Sequence, residues 1–177
     1  MKTNRRDAHT LADACRPDAY HPAHRTSAAQ RAVRAELAVR EALVRPRTRS
    51  LSVIRALLRR ESIRVPSGSA AAFVRRLAQV EVPPAVERAI TPLVELLTPL
   101  NAAIAAADAG MARRVTADPV ARRLATTPGV GPVTAVAFRA TLDDVGRFAR
   151  PGQVVAAYLG LVPCEHSSGG NGTGAGR

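Results

Sequence analysis

Leucine, valine and isoleucine return every seven residues along two long stretches of this chain, and no other feature restricts its fold as strongly. Leu37, Val44, Leu51 and Leu58 hold that spacing between Ser27 and Arg60, and Val33 and Ile54 extend the same face. Side chains so spaced line one side of an α-helix and need a second apolar surface to cover them. After Pro83-Pro84 the pattern returns, with Val86, Ile90, Leu93, Leu97, Leu100, Ile104, Ala107 and Met111 alternating by four and three. Ser27 is suited to cap the first stretch, because its hydroxyl can accept from a free N–H of the first turn. Pro46 predicts a kink there or a division into two helices. Pro92 and Pro99 interrupt the second stretch at about 3 kcal/mol each in a helix interior. A shorter helix over 70–79 follows the segment Pro66-Ser67-Gly68-Ser69. The expectation is an all-α chain built on a long antiparallel hairpin or coiled coil, its seams closing within one chain or between two.

The flanks read differently. Residues 1–26 are polar, with a short helix around Arg6 to Cys15 and breaks at Pro17 and Pro22. From Asp118 onward short helices over 119–126, 133–142 and 151–159 alternate with Gly-rich turns. Residues 167–177 are Gly, Ser and Asn with almost no apolar side chain, which predicts disorder. Four segments result: 1–26, a helical connector over 27–117, a small helical domain over 118–166, and a tail.

Charge narrows the partner. Lys and Arg number 26 against 14 Asp and Glu, a formal net charge of +12. Most of it lies between Arg31 and Arg60, where nine arginines face only Glu36 and Glu41. Such a chain gains free energy against a polyanion by releasing condensed counterions, and nucleic acid is the expected partner. A membrane is not expected: no stretch approaches the roughly 18 apolar residues of a spanning helix, and the N-terminus lacks an apolar signal core. Cys15 and Cys164 are too few for a disulfide framework or a zinc cage, in keeping with a cytoplasmic protein. Aromatics make up only 3% and there is no Trp, which counts against a base-stacking single-strand binder.

Two motifs carry chemistry. In LATTPGVGPVTAVAF, Leu124 to Phe138, a helix ends at a glycine turn and a second begins with Pro132, a helix-hairpin-helix pattern. Gly129 and Gly131 would let the backbone approach a phosphate, and the free N–H groups beyond them would face it. Gly129, Val130, Gly131 and Thr134 are the candidate contacts, joined by Arg55, Arg59 and Arg60; an ordinary tight turn between helices has the same spacing. In AAYLGLVPCEHSSGG, Ala156 to Gly170, a helix runs into a polar loop with paired serines. A serine there could attack a phosphodiester if a base or metal activates it, and a flexible turn reads the same way. His9, His21 and His24 have no metal-ligand spacing, and Asp143-Asp144 is suited to capping the turn toward Phe148.

LATTPGVGPVTA followed by DDVGRFARPGQVVAAYLGLVPCEHSSGG resembles the C-terminal domain of the DEDD insertion-sequence transposases, of the IS-one-ten and IS-one-sixteen type with the Piv invertase. KTNRRDAHTLADACRPDAYHPAHR, REALVRPRTRSLSVIRALLRRE and LNAAIAAAD extend the likeness to nearly the whole chain. The resemblance implies an N-terminal RuvC-like domain holding divalent metal, Mg²⁺, on four acids, a coiled coil, and a C-terminal serine that attacks DNA. DNA is the implied partner, a structured guide RNA a further one, and pairing with a second copy or an intact transposase follows from the coiled coil. By position Asp7 matches the last acid and Ser168 the nucleophile, with Ser167 beside it.

Departures from the family pattern bear on activity. Asn4 stands where the family has Asp, and a neutral amide is a poor substitute for a carboxylate on Mg²⁺. The first two acids and their sheet would precede Lys2, and further basic helices would follow the serine loop. The resemblance thus implies a transposase copy truncated at both ends, binding DNA with impaired catalysis and at most a weak, incomplete metal site at Asp7. The alternative is a non-catalytic nucleic-acid-binding or transposase-interacting helical protein.

Overall fold

The computed structural model describes residues 4–16, 23–148 and 151–161. Among them seven α-helices and a 3₁₀ turn occur, and no strand: α1 (Asn4–Cys15), α2 (Ala28–Arg60), α3 (Phe73–Leu77), α4 (Pro84–Ala117), α5 (Pro119–Ala125), α6 (Pro132–Leu142) and α7 (Pro151–Tyr158). The all-α expectation holds.

The two heptad stretches form the two long helices and face each other. Ile90, Leu97, Ile104 and Met111, each seven residues from the next, are all buried on α4. Leu51, Ile54 and Leu58 of α2 meet Ile90 and Leu97, while Val33 near the other end of α2 meets Met111. Ion pairs give the direction. Arg40 Nε lies 2.5 Å from Asp108, and Arg114 grips Glu36 through both carboxylate oxygens at 2.5 and 2.7 Å. Numbers rise along α2 as they fall along α4, so the hairpin is antiparallel and its seam closes within the chain. The guanidinium of Arg114 holds Glu36 below the usual carboxylate range through these hydrogen bonds.

Pro46 neither ends α2 nor divides it; the helix is continuous from Ala28 to Arg60. The same is true of Pro92 and Pro99 in α4. Each proline deprives the carbonyl four residues earlier of its donor. Those carbonyls belong to Ala42, Arg88 and Glu95, all exposed residues, where water can take the place of the missing N–H. Seam burial over more than thirty residues per helix outweighs the local cost.

α4 also corrects the expectation that no stretch is apolar enough to cross a membrane: by length and composition Pro84–Ala117 is. One face of it is used within the fold, where Ile90, Leu97, Ile104 and Met111 are buried.

Both ends of the hairpin are plugged. At one end Phe73 and Leu77 of α3, a helix shorter than the 70–79 span expected, insert beside Leu51, Ile54 and Leu58. At the other, α6 lays Val133, Val136 and Ala140 against Val33, Leu37, Met111 and Val115. Asp118 caps α5 by accepting from Val120 N at 2.8 Å and Ala121 N at 3.3 Å.

A non-local contact fastens the start of α2. Ser27 caps it as the sequence suggests, accepting from Gln30 N at 3.3 Å. Its own N–H and hydroxyl in turn donate to Asp143 at 2.7 and 2.8 Å, and His24 Nε2 lies 3.0 Å from the same carboxylate. Asp143 has φ +57°, a left-handed conformation that a non-glycine residue adopts only where its surroundings hold it. Asp144 caps the 3₁₀ turn Val145–Arg147 through Gly146 N, as expected.

Two predictions follow from this packing. Leu97→Ala removes a fully buried side chain at the centre of the seam and is expected to cost about 2–5 kcal/mol of unfolding free energy in urea titration; a cost under 1 kcal/mol would show that the seam is not the core. The backbone and hydroxyl hydrogen bonds from Ser27, then those from His24, lower the Asp143 pKa. A depressed carboxylate stabilises the fold fully above its unfolded value near about 3.9 and loses that contribution as pH falls through its folded value. Asp143→Asn should therefore lower stability at pH 6 and flatten the loss below pH 4; an unchanged acid limb would contradict the contact.

Candidate nucleic-acid interface

The glycine turn lies where α5 hands over to α6. Thr127 N and Val130 N close onto Leu124 O and Thr127 O, which brings the chain round in six residues. Gly129 adopts φ +83°, so a side chain there would be strained by about 1–2 kcal/mol. Gly131 is different from expectation: φ −82° and ψ 173° are ordinary extended backbone, and a Cβ would meet nothing within 4 Å. Only Gly129 is required by the turn; at Gly131 the missing side chain leaves open space.

That space lies at the start of α6. Gly131 is its N-cap and offers no side-chain acceptor, and Pro132 fills the first position. The first bond of the helix is from Ala135 N to Gly131 O, so the N–H groups of Val133 and Thr134 lack an intrahelical partner. Gly129, Gly131, Pro132 and Thr134 are exposed, and Val130 is half-buried. Arg122 and Arg123 in the last turn of α5 are exposed as well. Arg139, by contrast, is taken up internally, donating to Asp143 O and lying 3.4 Å from Asp118.

Arg55, Arg59 and Arg60 sit at the far end of α2, so the structure does not bring them to the turn. Arg55 is half-buried with its guanidinium 5.2 Å from the Phe73 ring centre. Arg59 and Arg60 are exposed. Arg55 and Arg59 line a groove of about 930 Å³ with Ser62, Arg64, Ser67 and Gly68, from which Arg60 is absent.

Asp7 lies on α1 and is exposed. No three His, Cys, Asp or Glu side chains converge among the described residues, so Asp7 does not there form part of a Mg²⁺ ligand set. Ser168, Ser167, His166 and Cys164 lie outside the described residues, as do His21 and the tail; Cys15 is exposed with a free thiol. Val154 and Tyr158 of α7 and Leu161 just beyond it are exposed, 42%, 50% and 71%. Arg147 stacks on both Phe148 and Tyr158, at 4.2 and 4.6 Å, and ties α7 to the preceding turn.

Sequence reasoning missed two features: Arg64 as a third groove arginine, and the contact of Ser27 with Asp143. Neither leaves a periodic signal, because Arg64 follows a helix end and Asp143 lies 116 residues from Ser27.

Gly129→Ala should lower stability by about 1–2 kcal/mol, while Gly131→Ala should leave thermal unfolding unchanged. Equal effects of the two would contradict the backbone assigned to this turn.

Residues 121–177 match the model of the transposase IS116/IS110/IS902 family. The chain is 33% identical over 96% of its length to a protein of Pseudomonas aeruginosa named "Probable family 20 transposase", covering 53% of it. It is 30% identical over 95% of its length to the transposase for insertion sequence element IS1111A of Coxiella burnetii, covering 47%. It is 33% identical over 98% of its length to that for element IS1328 of Yersinia enterocolitica, covering 53%. It thus spans about half the length of the curated relatives it matches. No solved structure matches it significantly. Over residues 121–177 the chain is thus similar to the IS116/IS110/IS902 transposase family, and over nearly its whole length it is similar to about half of each of three proteins named as transposases.

Proposed function

We propose that this chain is the nucleic-acid-holding part of a bacterial insertion-sequence transposase, acting on DNA in the cytoplasm. The observation that carries the reading is the uncapped, exposed start of α6, flanked by Arg122 and Arg123 in a chain of net charge +12. Free N–H groups and the positive end of an eleven-residue helix attract a phosphate without regard to base sequence. Residues 118–166 hold the DNA in this reading, and the hairpin over 27–117 fixes their position. A structured RNA presents the same phosphates and would compete for the same turn.

Ser168 is the nucleophile that the family resemblance assigns, and its role belongs to the same proposal. Asp7 stands exposed on α1, and no group of three His, Cys, Asp or Glu side chains forms among the described residues. In this reading the chain by itself binds DNA without joining strands, because Asn4 stands where the family resemblance places an acid. A covalent adduct between Ser168 and DNA, formed by the purified chain with Mg²⁺, would contradict that part.

Binding should be steeply salt-dependent, log K falling linearly with log salt concentration. Arg122→Ala and Arg123→Ala should each reduce the slope by about 0.9 without regard to DNA sequence. An unchanged slope in the double variant, with binding intact, would remove the α5–α6 turn from the interface.

A further inference from the structure

The arginine groove is more than a charged helix face. Its floor is the last turn of α2, and its wall is the extended segment Ile63–Ser69. α2 stops because Ser62 turns left-handed at φ +61°, which lets Ser62 N reach Arg59 O at 3.0 Å and Ile63 N reach Leu58 O at 2.9 Å. Ile63 then packs back on the core cluster of Leu58. The wall is held in turn by Arg76, which donates to Pro66 O at 3.0 Å and Ser69 O at 2.9 Å. Gly68 sits so close to that guanidinium that a Cβ would come within 2.5 Å of it. Arg76 is thus a positioning residue, and the groove has fixed sides.

Into this space come Arg55, Arg59 and Arg64, with the hydroxyl-bearing Ser62 and Ser67. None of the three arginines has a hydrogen bond or ion pair to a carboxylate among the described residues. The negative end of α2 would oppose an anion, yet its pole amounts to about half a charge, and two of its last carbonyls are already bonded by Ser62 and Ile63. Three guanidinium charges outweigh it.

Position separates this groove from the α5–α6 turn. Val133 at the start of α6 packs near Leu37, whereas the groove begins at Arg55 and ends beyond Leu58. About twenty residues of continuous helix lie between them, about 30 Å at 1.5 Å per residue. We propose that the groove is a second phosphodiester-binding site, independent of the turn, so that one chain holds two separate stretches of nucleic-acid backbone. This rests on the reading of the turn as a DNA contact.

The probe is a six-base-pair G·C duplex with its strands joined at one end, about 20 Å long and too short to bridge the two sites. Titrated against the full chain, it should bind at two per chain. Arg59→Ala with Arg64→Ala should leave one per chain and an unchanged unfolding midpoint, since both side chains lie in solvent without partners. Arg122→Ala with Arg123→Ala should weaken the other copy, and Arg60→Ala, outside the groove, should keep the stoichiometry of two. One duplex per wild-type chain, unaffected by Arg59→Ala with Arg64→Ala, would overturn the second site and leave the turn intact. No binding at all would remove the reading beneath it. Displacement of the groove-bound duplex by millimolar inorganic phosphate would mark a site for free phosphate and contradict the assignment to a nucleic-acid backbone.

Discussion

The seam between α2 and α4 decides nearly everything else in this chain. Burial of Ile90, Leu97, Ile104 and Met111 against α2 is what keeps three interior prolines inside unbroken helices. It also covers one face of α4, a helix that on length and composition alone would suit a bilayer. Because the seam runs antiparallel, it brings the end of α4 beside the start of α2, and α6 closes that end with Val133, Val136 and Ala140. The α5–α6 turn is thereby attached to a long, continuous helical support.

Arginine has two uses here, and the geometry separates them. Arg40, Arg114 and Arg139 face Asp108, Glu36 and Asp118 and fasten helices to one another. Arg59, Arg64, Arg122 and Arg123 have no such partner among the described residues and stand at the two ends of the molecule. Net charge alone does not distinguish these groups; a chain could be equally basic with its arginines spread over every face. At the groove and beside the open helix start, unpaired guanidinium groups stand next to a shaped surface or free backbone N–H groups, which an arginine on a plain helix face does not.

Much of this fold is legible in the sequence, because a period of seven repeated over two stretches admits few arrangements. Ser27 as a cap and the helices either side of Gly129 are legible for a related reason: caps and glycine turns are local chemistry. Pro46 misleads because its penalty is local while the burial opposing it is spread over the whole of α2. Gly131 misleads differently, since its sequence position beside Gly129 suggests a shared conformational need that its extended backbone does not have. Asp143 could not be assigned to Ser27 from sequence, as nothing in either residue announces a contact across the chain. Arg64 falls in a segment without periodicity, and its place in the groove depends on the left-handed Ser62. Ser168, which the resemblance singles out, lies outside the described residues.

Amide hydrogen exchange of the full chain, with and without duplex DNA at low salt, tests most directly whether these ends of the hairpin are where nucleic acid is held. Slowed exchange at Val133 and Thr134 and along Ser67–Ser69, with the α2–α4 seam unchanged, is the result the account predicts. Protection spread evenly over the arginine-bearing faces of α2, with Val133 and Thr134 exchanging as in the free chain, would contradict it.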